Sequence, residues 1–344
     1  MTSLYITQAG AVLRSSGESL WVTLDEDPDG KGPLPEKRKK LLEVETHRLE
    51  MIALCGRVHI TSDATRVCLD KGIAVAWMSW SGELQGRLVP SGAKCADLRL
   101  MQYRVAIDDV LRLKHAIAVV RAKLFNALEV IESLRGNDST QPAFGTAMEA
   151  LRQRLQSLES CTSMDSLLGI EGASAADYFA GLAAGFRSDI RFETRKRRPP
   201  PDPANALLSF SYVLLANRLD NMLEARGLDP TLGFYHEFRS GRPSLALDLV
   251  EELRHPVADR FVLRLCNLRM VKPQNFVADE QGGVQLDDEG IKIFFREWEI
   301  FLQKPLPEKN SEPVTPLSLL SRQVDRLASS LREQKIYQPF TFGD

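Results

Sequence analysis

At about Leu98 the apolar pattern of the chain changes period, and no other feature limits the fold as much. Before it, LYITQAG, AVLRSSGESLWVTL and GIAVAWMSWSGELQGRLV alternate apolar and polar positions around Ser-Gly turns, the pattern of half-buried strands joined by hairpins. A short helix, SDATRVCLDKG, interrupts them, with Ser62 or Asp63 as its cap and Gly72 as its stop. After Leu98, apolar residues recur three and four apart. DLRLMQYRVAIDDVLRLKHAIAVVRAKLFNALEVIESLRG reads as one helix ending at Gly136, and AMEALRQRLQSLES as the next. DPANALLSFSYVLLANRLDNMLEARG follows, with Asp202 as cap and Pro203 at the first helical position. The expected class is α+β: a β-rich domain at 1–95, an all-helical domain at 96–304, then a Pro-rich connector, a terminal helix and an aromatic tail at 305–344. The acidic-then-basic stretch DEDPDGKGPLPEKRKK, 25–40, reads as a loop.

A chain of 344 residues, 44% hydrophobic, is long enough for two cores. Its formal charge of −2 excludes a uniformly basic coat, so affinity for phosphate has to come from local patches. Five cysteines, odd in number and far apart, form no C-x-x-C pair and read as small core residues in a reducing compartment. No signal peptide or membrane-length apolar run is read, so the expected location is the cytoplasm, with no membrane partner.

Three segments carry candidate chemistry. In GFYHEFRSGRPSLALDLVEELRHP, 233–256, Gly241 and Pro243 break the chain after His236, and Pro243 starts a new helix. On that helix Leu245, Ala246, Leu249, Val250 and Leu253 share one side, and Asp248, Glu251 and Glu252 the other. The acids are either a solvated face or part of a divalent-metal site with His236. In LLGIEGASAADYFAGL, 167–182, Glu171 sits among Gly, Ala and Ser, either as an acid near a helix N-terminus or as a carboxylate held where helices approach closely. In RFETRKRRPPPDP, 191–203, Arg191, Arg195, Lys196, Arg197 and Arg198 oppose a single Glu193. That run is either a solvated loop or a set of phosphate contacts.

In this order and spacing, LLGIEGASAADYF, RRPPPDPANALLSFSYVLL and the 233–256 segment resemble the signature regions of the CRISPR-associated endonuclease Cas-one (Cas1), the integrase of spacer acquisition. GRVHITSDATRVCLDKGIAVAWMSWSGELQGRL resembles the first domain of that family. The resemblance implies a β-rich first domain, expected to dimerise, and a helical catalytic domain at 96–304. It also implies a homodimer assembled on a small companion, Cas-two (Cas2), acting on double-stranded DNA as protospacer and CRISPR repeat. The family's metal ligands carry over to Glu171, His236 and Glu251, with Asp248 as a supporting acid that orients a water or an Arg, and the implied metal is Mg²⁺ or Mn²⁺. The implied reaction is attack of a DNA 3′-hydroxyl on a phosphodiester. Arg191, Arg195, Lys196, Arg197 and Arg198, with Arg239, Arg242 and Arg254, are expected to hold phosphates without reading sequence. A non-catalytic helical DNA-binding scaffold and a plain metal-dependent nuclease are the alternatives.

Overall fold

A computed structural model describes residues 2–24, 39–79, 84–88, 95–196, 199–278, 282–306 and 313–342. The chain divides into two units, Met1–Gly92 and Ala93–Asp344. Most of the 25–40 insert lies outside the described residues; its last two lysines begin a strand.

The first unit contains β1 (Thr2–Ile6), β2 (Ala11–Ser16), β3 (Ser19–Leu24), β4 (Lys39–Glu45), β5 (Leu49–Cys55), β6 (His59–Ile60), α1 (Ser62–Lys71), β7 (Ala74–Met78) and β8 (Leu84–Leu88). They form two four-stranded sheets, ordered β1-β5-β7-β8 and β4-β3-β2-β6. The β2–β3 hairpin turns at Gly17, whose φ of +60° suits glycine. Hairpins do not account for the rest. β1, β5 and β7 pair in parallel, because β5 is joined to β7 by a crossover through β6 and α1. Helix α1 is capped by Thr61, one residue before the expected cap, and stops at Gly72 in the left-handed conformation. Its Ala64 and Cys68 join Leu13, Leu20, Ile52, Leu54 and Val75 in one core.

The second unit is built from α2 (Ala96–Ile107), α3 (Asp109–Asn137), α4 (Pro142–Ser157), α5 (Met164–Ala183), α6 (Pro203–Ala225), α7 (Ser244–Leu253), α8 (Arg260–Asn267), α9 (Asp288–Leu302) and α10 (Pro316–Arg332). The single long helix expected from Asp97 to Gly136 is two helices. Asp108 leaves helical geometry and its carboxylate accepts from the N–H groups of Val110 and Leu111, starting α3 afresh. The unit is also not all-helical, since β9 (Phe276–Ala278) and β10 (Val284–Leu286) form an antiparallel hairpin. The expected start of α6 is observed: the Asp202 carboxylate accepts from Asn205 N–H at 2.8 Å, and Pro203 opens the helix. Cys161 and Cys266 are buried and Cys95 is half-buried, all as free thiols.

Helix α10 and the aromatic tail pack within this unit rather than standing apart. Leu319, Leu320, Val324 and Leu327 are buried on α10, and Tyr337 and Phe340 on the tail. Among the described residues no helix is long and apolar enough to cross a membrane.

Candidate metal centre

Four parts of the second unit meet at one place: α3, α5, the loop carrying His236, and α7. The acids of α7 are not a solvated face. Asp248 is 1% exposed, Glu251 3% and Glu252 0%, so each needs a partner. Each has a different one.

Asp248 fastens the His236 loop. Its Oδ2 accepts from the N–H groups of Phe234 at 2.5 Å and Tyr235 at 3.0 Å, and its Oδ1 from His236 N–H at 2.9 Å. Oδ1 also meets His236 Nδ1 at 2.8 Å. An ionised carboxylate only accepts, so Nδ1 carries the proton and Nε2 faces the other way. The loop comes this close because residue 233 is glycine: a Cβ there would lie 2.9 Å from Asp248 Oδ2, with backbone atoms of His236 and Ser244 equally near. The sequence reading gave Asp248 a water or an Arg to orient; it orients the imidazole.

Glu251 faces that imidazole, with Oε1 3.8 Å from His236 Nε2 and 2.8 Å from Arg254, one turn later on the chain. Lys123 Nζ, from α3, lies 2.5 Å from Glu251 Oε2 and bonds Glu171 Oε1 as well. Burial raises the Glu251 pKa, but Arg254, Lys123 and His236 outweigh it and hold the carboxyl well below the usual range. Glu171 lies in the middle of α5, whose N-terminus is capped by Ser163 further upstream than expected. Gly169 and Gly172, beside it, have open space around them. The close helix approach falls instead at Gly181, where a Cβ would lie 2.6 Å from Ala147 Cβ of α4. Glu171 and His236 are half-buried and mark the solvent side of the centre.

Glu252 turns to the tail. It accepts from Tyr337 Oη at 2.6 Å, Gln323 Nε2 at 3.0 Å and Phe340 N–H, and its burial pushes the carboxyl up to about 7. Beyond it, Pro256 lacks an N–H and its ring crowds the carbonyl four residues back, that of Glu252. The chain answers with a π-helical turn, Arg254–Asp259, and the Glu252 carbonyl accepts from Asn126 Nδ2 at 2.8 Å. In that turn Asp259 collects Tyr178 Oη at 2.9 Å, Tyr212 Oη at 2.5 Å and His255 Nδ1 at 2.7 Å, tying α5 and α6 to the end of α7.

The basic residues separate into groups. Arg254, expected at phosphates, is buried and bonded to Glu251, with its guanidinium 4.6 Å from the Tyr212 ring centroid. Arg195 is tethered to Asn205 at 2.8 Å and Ser209 at 3.0 Å, which anchors its segment to α6. Arg191, Lys196 and Arg239 are exposed, and Arg242 is half-buried in the turn at Gly241. Arg197 and Arg198 lie outside the described residues.

Sequence reasoning missed Lys123, Tyr212 and Asp259. Lys123 had a readable signal. Ala116, Val119, Val120, Ala127 and Val130, at helical spacing from it on α3, are all buried, so its ammonium points inward and requires an anion. Among the described residues no three His, Cys, Asp or Glu groups converge on one ion, and Lys123 sits between Glu171 and Glu251. The donor set nonetheless fits a divalent cation. Two carboxylates already share one positive charge, and an imidazole with its Nδ1–H on a carboxylate presents Nε2 beside them, the orientation that metal-bound histidines adopt.

Fold and site together define the class: a β-rich unit and a larger helical unit, the latter carrying two acids that share one cation and an imidazole beside one of those acids. The family model described as "CRISPR associated protein Cas1" matches residues 4–300. The chain is 32% identical over 345 residues to the CRISPR-associated endonuclease Cas1 2 of Rhodospirillum rubrum, covering 96% of this chain and 95% of that protein. It is 33% identical over 303 residues to a CRISPR-associated exonuclease Cas4/endonuclease Cas1 fusion of Geobacter sulfurreducens, covering 86% of this chain and, at 52%, about half of the fusion's length. A casposase bound to integration product shares the fold, with a TM-score of 0.82 at 22% identity over 100% of this chain and 94% of that one. This chain belongs to the Cas1 family.

Proposed function

We propose that the chain is a metal-dependent DNA integrase and endonuclease that inserts short foreign DNA into a CRISPR array by 3′-hydroxyl attack on a phosphodiester. The observation that carries this reading is that Glu171 and Glu251 share one buried cation, the Lys123 ammonium, while His236 Nε2 lies 3.8 Å from the other oxygen of Glu251. These three residues would hold Mg²⁺ or Mn²⁺. When bound, such an ion activates the attacking hydroxyl and neutralises charge developing on the phosphate.

The chain's own residues do the rest. Asp248 keeps the proton on His236 Nδ1 and leaves Nε2 free to donate its lone pair. Arg254 fixes Glu251 and keeps it ionised. Arg191, Lys196, Arg239 and Arg242 hold the DNA backbone, fixing position rather than sequence. Family membership supports action as a homodimer with the small companion Cas2 on protospacer and repeat DNA.

The test combines the purified protein and companion with a short duplex bearing free 3′-hydroxyls, a supercoiled plasmid carrying a repeat, and Mn²⁺ or Mg²⁺. Joined product that disappears with chelator is expected. Cleavage without joining favours a plain nuclease, and DNA binding with neither favours a scaffold.

A further inference from the structure

Lys123 is 1% exposed and lies on the stripe of α3 that faces the protein interior. An ammonium there is stable only when fully paired, and both of its partners are acids assigned above as metal ligands: Glu171 through Oε1 and Glu251 through Oε2. Glu251 Oε2 is buried and takes no well-directed hydrogen bond, although Nζ lies 2.5 Å away. The other oxygen, Oε1, is already bonded to Arg254. A divalent ion entering between Glu171 and Glu251 therefore meets a resident positive charge in a place largely removed from water, where like charges repel strongly. Lysine is suited to yield, since its flexible four-carbon stem carries a compact charge that rotates about several bonds.

We propose that Lys123 is a tethered counter-cation that competes with the divalent ion for Glu171 and Glu251, holding the two acids together in the metal-free protein and setting how much metal is needed to load the centre. The inference rests on reading Glu171, His236 and Glu251 as metal ligands. It assigns Lys123 to regulating metal occupancy rather than to contacting DNA. By displacing the ammonium, the metal exchanges one ion pairing for another, so loading is weaker than the same acids would give alone.

The test measures Mn²⁺ binding by titration calorimetry and the unfolding midpoint in chelator and in saturating Mn²⁺, for the wild type, Lys123→Met and Glu171→Gln, without DNA. Lys123→Met is expected to unfold at a lower temperature in chelator, to bind Mn²⁺ about tenfold or more tightly than wild type, and to gain more in midpoint from the metal. Glu171→Gln is expected to lose Mn²⁺ binding. Should Lys123→Met fail to fold in chelator, Lys123→Gln, which keeps an N–H donor for the acids, carries the same comparison. If the folded neutral variant binds Mn²⁺ no more tightly than wild type, Lys123 does not compete and the inference is overturned while the ligand assignment stands. If neither wild type nor variant binds Mn²⁺, or Glu171→Gln binds as wild type does, the ligand assignment fails and takes the inference with it.

Discussion

Replacing Asp248 by asparagine separates its work from that of Glu251. The carboxylate accepts four bonds, from the N–H groups of Phe234, Tyr235 and His236 and from His236 Nδ1. Asparagine has the same shape but only one accepting atom. If its oxygen takes the His236 pair, its NH₂ meets the N–H groups of Phe234 and Tyr235 donor to donor, and two buried donors go unsatisfied. At about 1–3 kcal/mol each, the cost to stability is about 2–6 kcal/mol. If the amide flips, the oxygen serves the backbone pair and the NH₂ faces Nδ1, driving the imidazole proton to Nε2 and removing the lone pair from the metal side. Either way strand joining falls, by about 10- to 100-fold for a residue that orients a ligand without binding the ion. The assays are denaturant unfolding with and without chelator, and strand joining across Mn²⁺ concentration, for Asp248→Asn beside Glu251→Gln. Wild-type stability for Asp248→Asn would refute the hydrogen-bond argument. Activity in Glu251→Gln alongside no joining by Asp248→Asn at any Mn²⁺ concentration would reverse the assignment of ligand and support.

Glu171→Ala and His236→Ala are each expected to abolish strand joining while leaving duplex affinity, read by gel shift, within about threefold of wild type; an equal loss of both would contradict the separation of metal and phosphate contacts. Neutralising Arg191 and Lys196 together is expected to weaken DNA binding and lower the slope of log affinity against log salt by about one for each phosphate no longer neutralised. Arg195→Ala should also lower the unfolding midpoint, because that guanidinium anchors its segment to Asn205 and Ser209. Burial pushes the His115 imidazole from 6.5 down to about 4, and its Nδ1 finds no hydrogen-bond partner among the described residues. A depressed folded-state pKa contributes stability that is present above 6.5 and lost as pH falls toward 4. The stability difference between wild type and His115→Leu should therefore shift against wild type by up to about 3 kcal/mol across that window; a pH-independent difference would place the charged imidazole in contact with water.

The change of period near Leu98 was enough to place strands before helices, and Gly72, Asp202 and Pro203 marked ends through chemistry local to each position. What local chemistry does not carry is the direction of a partner. β1 and β7 lie in segments that read as hairpin strands, yet both pair in parallel with β5, whose LEMIALC run is almost continuously apolar, because the intervening chain crosses over. The β9–β10 hairpin was missed because three-residue strands are too short to display alternation. At the candidate centre Glu171, His236 and Glu251 were readable as residue types suited to a metal, but their surroundings were not. The apolar stripe of α7 identifies one covered face, and nothing in its spacing reports that the loop, α3 and the tail cover the others.

That second covering explains why three acids so close together do different things. Side chains one residue apart on a helix diverge by about 100°, so Glu251 and Glu252 cannot serve the same partner. Glu251 faces Lys123, whereas Glu252 faces Tyr337, Gln323 and the Phe340 N–H. Both ends of this arrangement are set by α3. Lys123 and Asn126 lie about one turn apart on it; the first meets the Glu251 side chain, and the second meets the Glu252 carbonyl that Pro256 has released from helical bonding. Asn126 also donates to the Phe340 carbonyl at 2.9 Å and accepts from Phe342 N–H at 3.0 Å, so the same asparagine holds the tail against α7. A shift of α7 along α3 by one turn would break the Lys123 pairing and the Asn126 hydrogen bond together. The proline that ends regular helix after Leu253 thus supplies the acceptor by which α3 fixes the height of Glu251, and with it the distance from Glu251 to Glu171 across the ammonium.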